Sequence, residues 1–471
     1  MDDAIGLLTR GYRLSSHIWQ RVEPGRRAAP MTLLGRDAIL VRGAEGVATF
    51  NDEKNVARHG AMPAIVQRVL FGVGSVHSLD GPRHRHRKST FADIAYDDEQ
   101  VERMTRHLHR EWRAELADWR AGGRRSAYTA AVGAFGRAVM RWGDLPGTPA
   151  AQTRWAGRLA QIVDGFGTHY SPSILLAVAN RRWSDRHTTR LIEAVRNAEL
   201  TPRPGTALDE WAWHRDEEGA LLTPRLAGVE LQNSLRPMIA VARFVAFAAK
   251  ELLARPEWRA RIAAETHERG TLVGGAAATA FAQEVRRTAP FVPMLPGWAR
   301  RTVEVDGQRV DQGGQIVFDI LGTDTDDLSW DRAGEFAPER FLGISDYEAM
   351  PAFVPHGGGD VRTGHRCPGE KLAIAGLAAA VAALSDPGVR IVEYGLEVNL
   401  RRLPTMPASG GRVAASPDGA SDTAAGGSHP IPTGADSRPR CPFSSSSRGS
   451  ATGYSPWADW RCTRALRAID G

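Results

Sequence analysis

Apolar residues recur every three to four positions through much of this chain, most clearly over residues 104–119, 154–166, 188–200 and 241–253. That spacing gathers them on one side of a helix, so each stretch predicts an amphipathic helix with one buried face. Strand patterns are fewer. Residues 302–305 and 308–310 flank Asp306-Gly307, a pair suited to the positive φ angles of a two-residue hairpin turn, and residues 315–321 supply a further strand. The pattern predicts a mainly α fold with small β-sheets. At 471 residues and 42% apolar, the chain can bury a full core in one large domain that takes up most of its length. Beyond it, residues 414–453 are rich in Ser, Gly, Pro, Ala and Asp, so 414–471 reads as a disordered tail with a short docking segment or a functionless appendage at 457–466.

Candidate chemistry concentrates near residue 367. Gly364-His365-Arg366-Cys367-Pro368-Gly369-Glu370 places one cysteine after the glycine-rich Gly357-Gly358-Gly359 and ahead of an apolar run, 372–384. Pro368 suits the first helical position, which sets Cys367 among the unpaired amides at the positive end of a helix dipole, where a thiolate is stabilised. Glycines on either side clear an approach for a flat cofactor, and haem fits that description. A buried cysteine at a helix start satisfies the same pattern equally well. Upstream, Glu284 and Arg287 stand three residues apart in an apolar helical context, and Arg340 lies in the turn-rich Phe336-Ala337-Pro338-Glu339-Arg340-Phe341. Alone, the first pair is ordinary helix decoration worth a few tenths of a kcal/mol.

Taken in order, the Glu-x-x-Arg helix, the Pro-Glu-Arg-Phe segment and the cysteine loop resemble the cytochrome P450 superfamily. The resemblance implies the P450 fold in a catalytic domain of residues 1–413, haem b ligated by Cys367, and a Glu284/Arg287/Arg340 lock. It narrows to the fatty-acid peroxygenase branch. Most members carry phenylalanine seven residues before the cysteine and arginine or histidine two before it, whereas here Asp360 and His365 hold those places within an expanded Gly-rich loop.

The helix expected to cross above the haem contains Glu230, Arg236 and Pro237. Oxygen-activating members carry an acid followed by threonine there, for proton delivery. This chain has Arg236-Pro237 instead. Proline inside a helix removes a backbone hydrogen bond and kinks it, at about 3 kcal/mol, and an arginine in an apolar pocket must find an anion. Glu230 is the local candidate, and a substrate carboxylate is the one the resemblance implies. Arg236 would then hold a fatty acid by its head group, the carboxylate would supply the acid/base function, and hydrogen peroxide would be the oxidant without a reductase, giving 2- or 3-hydroxy acids or a terminal alkene. A reductase-dependent monooxygenase on another acidic substrate and a non-catalytic haem-binding sensor are the alternatives.

The same likeness assigns His84 and Lys88, in the basic run 83–88, to the haem propionates, with Arg58 and His365 as further candidates. Unassigned, such a run is a solvated or nucleic-acid-facing stretch. Phe71 and His77 are expected beside the substrate chain, Phe71 being ordinary core on the plainer reading. His77 stands where hydroxylating relatives have glutamine and a decarboxylating one has histidine. It therefore either favours the alkene or is a polar pocket residue without control over product.

A net charge of +6 would suit anionic partners, yet arginine far outnumbers lysine and no nucleic-acid motif is present. With neither a leader-like start at Met1-Asp2-Asp3 nor an apolar stretch of bilayer length, the expectation is a soluble cytoplasmic protein without integral membrane association. Cys441 and Cys462, in the tail, match no zinc spacing and are expected to be free thiols.

Overall fold

The computed structural model describes residues 2–165 and 172–417. Helices dominate. The ones that matter below are α1 (Gly81–Ala95), α2 (Asp98–Arg120), α3 (Ala127–Trp142), α4 (Pro149–Asp164), α5 (Pro172–Arg196), α6 (Pro224–Ala240), α7 (Ala242–Ala254), α8 (Ala276–Thr288) and α9 (Glu370–Ser385). Their apolar faces share one large core, in which Trp112, Trp119, Phe135, Trp142, Trp211, Phe244 and Phe281 are almost wholly buried.

The strands form a separate layer. β1 (Ala28–Leu33) and β2 (Arg36–Val41) make a hairpin, and β3 is Val56–Ala57. β4 (Met294–Ala299) and β7 (Gln315–Asp319) join them in the order β1-β2-β7-β4-β3, with β2 parallel to β7 in the register Ala38 to Gln315 and the other pairs antiparallel. Phe50, Ile316 and Phe318 fill the core beneath this sheet. β5 (Val303–Val305) and β6 (Gln308–Val310) form the expected hairpin, and Asp306 and Gly307 adopt φ of 47° and 73°. β8 (Val389–Ile391) pairs with β9 (Val413–Ala415), which spans the expected domain limit at 413. The tail expectations for 418–471, Cys441 and Cys462 included, lie outside the described residues. Among the described residues no helix is long and apolar enough to cross a membrane.

Local departures from the sequence pattern have local causes. The helix expected over 188–200 is the end of the longer α5, and the chain leaves it where Ala198 takes φ of 59°. The strand expected over 315–321 stops at Asp319, whose side chain accepts from the Gly322 amide and caps a short helix. α9 begins at Glu370, not at Pro368. The Cys367 amide is drawn away to the His356 carbonyl at 3.1 Å, and the Cys367 carbonyl accepts from the Glu370 amide at 3.3 Å, so Pro368 and Gly369 are spent on a turn. Pro237 lies within α6 without ending it. The interruption falls four residues later at Val241, where ψ is −5°, and α7 resumes at Ala242.

Candidate active site

Two glycines set the distances from which the site is built. Gly228 lets α6 press against α5, since a Cβ there would lie 2.9 Å from the Thr189 amide. Gly72 ends a wide helical turn, Gln67–Phe71, with φ of 92°, and a Cβ on it would meet Arg181 Nη2 at 2.2 Å. Three side chains then hold this turn by its carbonyls: Arg181 donates to Leu70 O at 3.2 Å, Asn233 to Phe71 O at 3.1 Å, and Gln67 to Gly72 O at 3.3 Å.

On that turn the Phe71 ring stacks against His77 at 4.1 Å, and the Arg236 guanidinium lies 6.0 Å from the Phe71 centroid. The three residues expected to contact substrate are thus together. Arg236 is buried; one of its nitrogens donates to Asn233 Oδ1 at 2.9 Å, and Nη1 is buried without a partner among the described residues. Glu230, its candidate protein partner, is engaged elsewhere: it accepts from the Val76 amide at 2.7 Å and Asn233 at 3.0 Å, and pairs with Arg87 at 3.3 Å. Burial, then the nearby charge of Arg181, pulls the Arg236 guanidinium down to about 9, so an anion in this pocket would be favoured. Burial and Arg236 likewise hold His77 at about 3, which keeps its ring neutral.

The second group of candidates surrounds Cys367. His84 is buried and stacks on His365 at 4.2 Å, and its Nδ1 has no partner among the described residues. Burial holds His84 at about 4. Arg58 packs on the Phe50 face at 4.0 Å and donates to Asn51 Oδ1 at 3.1 Å; burial brings it to about 9. Lys88 donates to the Arg366 carbonyl at 2.5 Å, so it reaches the cysteine loop itself, and burial lowers it to about 8. A half-buried thiol with Lys88 reaching its loop, together with Arg58 and a stacked histidine pair of which one nitrogen is orphaned, fits haem b: the sulfur for iron, the cations and rings for anionic propionates.

Two expectations about this loop change. Burial raises the Cys367 thiol, opposed first by Lys88 and also by the Gly369 amide, and a bound iron would supply the further positive charge that favours the thiolate. The glycines also serve the backbone more than the cofactor. Gly357 and Gly359 adopt φ of 87° and 83°, and a Cβ on Gly358 would sit 2.8 Å from Val47.

Glu284 and Arg287 are fully buried and joined by two contacts of 2.8 and 2.7 Å, Arg287 also donates to three carbonyls, and Arg340 approaches Glu284 at 3.6 Å. Residues given no such role from the sequence complete both groups, and Glu230, expected there only as a partner for Arg236, takes a different one. Asn233 and Glu230 tie Arg236 to the Phe71 turn, and their i, i+3, i+6 spacing with Arg236 on one helix face was the available signal. Arg286, Arg366 and Glu370 form a buried network behind Cys367, signalled only by a charged residue entering an apolar helix.

Fold, cysteine loop and basic ring together define a haem-thiolate oxidoreductase. The cytochrome P450 family model matches residues 278–384. Among curated proteins, 2-hydroxyisoflavanone synthase of Glycine max is 32% identical over 114 residues, 22% of this chain and 21% of that one, and a putative cytochrome P450 137 of Mycobacterium tuberculosis is 31% identical over 142 residues, 29% and 28% of the two chains. The chain thus matches only about a fifth to three-tenths of the length of these curated relatives. Solved structures match far more. Cytochrome P450SP alpha in complex with (R)-ibuprofen is 34% identical with a TM-score of 0.79, over 88% of this chain and 98% of that one. Ligand-free cytochrome P450 OleT is 27% identical with a TM-score of 0.80, over 88% and 96%. The chain belongs to the cytochrome P450 family, in the fatty-acid peroxygenase branch.

Proposed function

We propose that this protein oxidises fatty acids with hydrogen peroxide at the carbon α or β to the carboxylate, giving hydroxy acids, a terminal alkene with loss of carbon dioxide, or both. The observation that carries the reading is Arg236, a buried guanidinium with one nitrogen unpartnered, no free carboxylate of its own, and a proline where a proton-delivering pair would stand. Similarity to a variant of OleT solved in complex with arachidonic acid, 27% identical with a TM-score of 0.80, supports a long-chain acid as the occupant.

The residues divide the work. Arg236 binds the carboxylate by a charge-assisted contact, held in place by Asn233. The anchored carboxylate, and not a protein acid, takes and returns the proton during peroxide activation, since Glu230 is already committed to Arg87. Phe71 covers the first carbons of the chain and excludes water from them. His77, neutral and stacked on Phe71, offers a hydrogen bond near the same carbons without adding charge. Cys367 ligates haem b, which supplies the oxidising chemistry once peroxide arrives, and His84, Lys88, Arg58 and His365 would hold its propionates. No reductase enters this scheme.

Gas chromatography with mass detection on haem-loaded protein, a long saturated fatty acid and peroxide tests it directly. Products are expected without a reductase. Arg236→Ala should lose at least about 30-fold in kcat/KM, as expected when a buried charged contact worth about 2–5 kcal/mol is removed. No product from thiolate-ligated, haem-loaded protein would overturn the reading.

A further inference from the structure

Cys367 is held by its backbone at two points. Its amide donates to His356 O at 3.1 Å, and its carbonyl accepts from the Glu370 amide at 3.3 Å. The side chains of those same two residues are bridged by one guanidinium: Arg286 contacts His356 Nδ1 at 2.8 Å and ion-pairs with Glu370 Oε1. Arg366, adjacent to the cysteine, closes the set through Nε to Glu370 Oε2 at 2.7 Å. Arg286, Arg366 and Glu370 are each at most 3% exposed.

This is more than tight packing, because the arrangement has a defined sign. Two guanidiniums face one carboxylate with a neutral imidazole between, so the seat of the sulfur carries a net positive charge that Glu370 halves. One nitrogen, Nη2, reaches both His356 and Glu370, while Nε adds a second contact to His356 Nδ1 at 3.2 Å and Nη1 is held by Gln283, so the planar fork is fixed at three points where a single ammonium would keep at most the Nη2 position. Outer partners of a metal ligand set both its direction and the charge it can donate.

We propose that Arg286 and Glu370 are positioning residues for Cys367: Arg286 fixes the direction of the sulfur by clamping its two backbone anchors, and Glu370 sets the electron density that the thiolate gives to the haem iron. The proposal rests on Cys367 as iron ligand and is independent of the fatty-acid reading.

The test is the ferric/ferrous midpoint potential of haem-loaded protein, measured with the ferrous carbonyl spectrum and without substrate or peroxide. E370Q keeps the shape and removes the negative charge, so the ferrous state should be favoured about tenfold at fixed potential, a rise of about 59 mV for one electron. E370D, which restores the charge, should return most of that shift. R286K keeps the charge but breaks the clamp; its midpoint should stay near that of the unaltered protein while the protonated-thiol fraction of the carbonyl complex grows at least threefold. An unchanged midpoint in haem-loaded E370Q, or an equal shift in E370D, overturns the role of Glu370. If E370Q fails to take up haem, R286K decides, and an unchanged carbonyl spectrum there overturns the clamp.

Discussion

Arg236 is held from one side by Asn233 and left open on the other, and that asymmetry makes the residue scale the place to test chemistry. The neighbouring His77 differs in what it can alter. Its ring is stacked on Phe71 and held at about 3, so between pH 5 and 8 it does not change charge. The ratio of alkene to hydroxy acid should therefore stay flat over that range when the two products are quantified together. His77→Gln keeps a polar group and removes the imidazole, and it should shift the ratio toward hydroxy acids at least twofold. A ratio that follows pH, or one untouched by the substitution, would remove His77 from product control.

At the scale of elements, the site exists because α5 and α6 approach closely at Gly228. Gly228→Ala places a methyl group within 2.8 Å of Thr188 Oγ1, in ordinary helical backbone, and overpacking of this kind costs about 1–3 kcal/mol. Urea unfolding should show that loss. The KM for fatty acid should rise with it, because Arg181 on α5 and Asn233 on α6 hold the same turn by adjacent carbonyls. The lock between α8 and the segment after it is a second test. Glu284→Ala strands Arg287 in a fully buried position, and breaking a buried pair from one side costs about 3–5 kcal/mol, visible in thermal melts and in poor haem uptake.

These elements also show what was legible beforehand. The β5–β6 hairpin was, because Asp306-Gly307 demands a particular backbone and needs no distant partner. Glu284 and Arg287 were, being three residues apart. The Arg286 to Glu370 contact was not: 84 residues separate its ends, and nothing local distinguishes either from a solvated charge. The start of α9 was misplaced for the same reason, since the pull of His356 O on the Cys367 amide belongs to another stretch of chain. Propensity and periodicity report on neighbours in sequence, whereas the seat of the cysteine is made by residues that meet only after folding.

Across the whole molecule, imidazoles held below their ordinary range are expected to govern how the fold meets acid. Burial holds His77 at about 3 and His84, His107 and His214 at about 4, with nearby arginines or Lys88 adding to the effect. Each titrates near 6.5 once unfolded. Between those values the unfolded chain binds more protons than the folded one, so stability rises with pH across the window and is lost as pH falls from about 6.5 toward 4. Melting temperatures should decline steadily over that interval. His107→Gln with His214→Gln, neither of them among the residues assigned to haem or substrate, should flatten the decline; an unaltered slope would place the acid sensitivity elsewhere.

The unpartnered nitrogen of Arg236 has a consequence for the economy of the oxidant. A protein that carries its own proton donor beside an iron can spend peroxide whether or not anything waits to be oxidised, and the damage then falls on the protein. Here the donor arrives with the fuel. On the proposed reading, an empty pocket is an idle one, and the fatty acid is at once the thing consumed and the key that starts the machine.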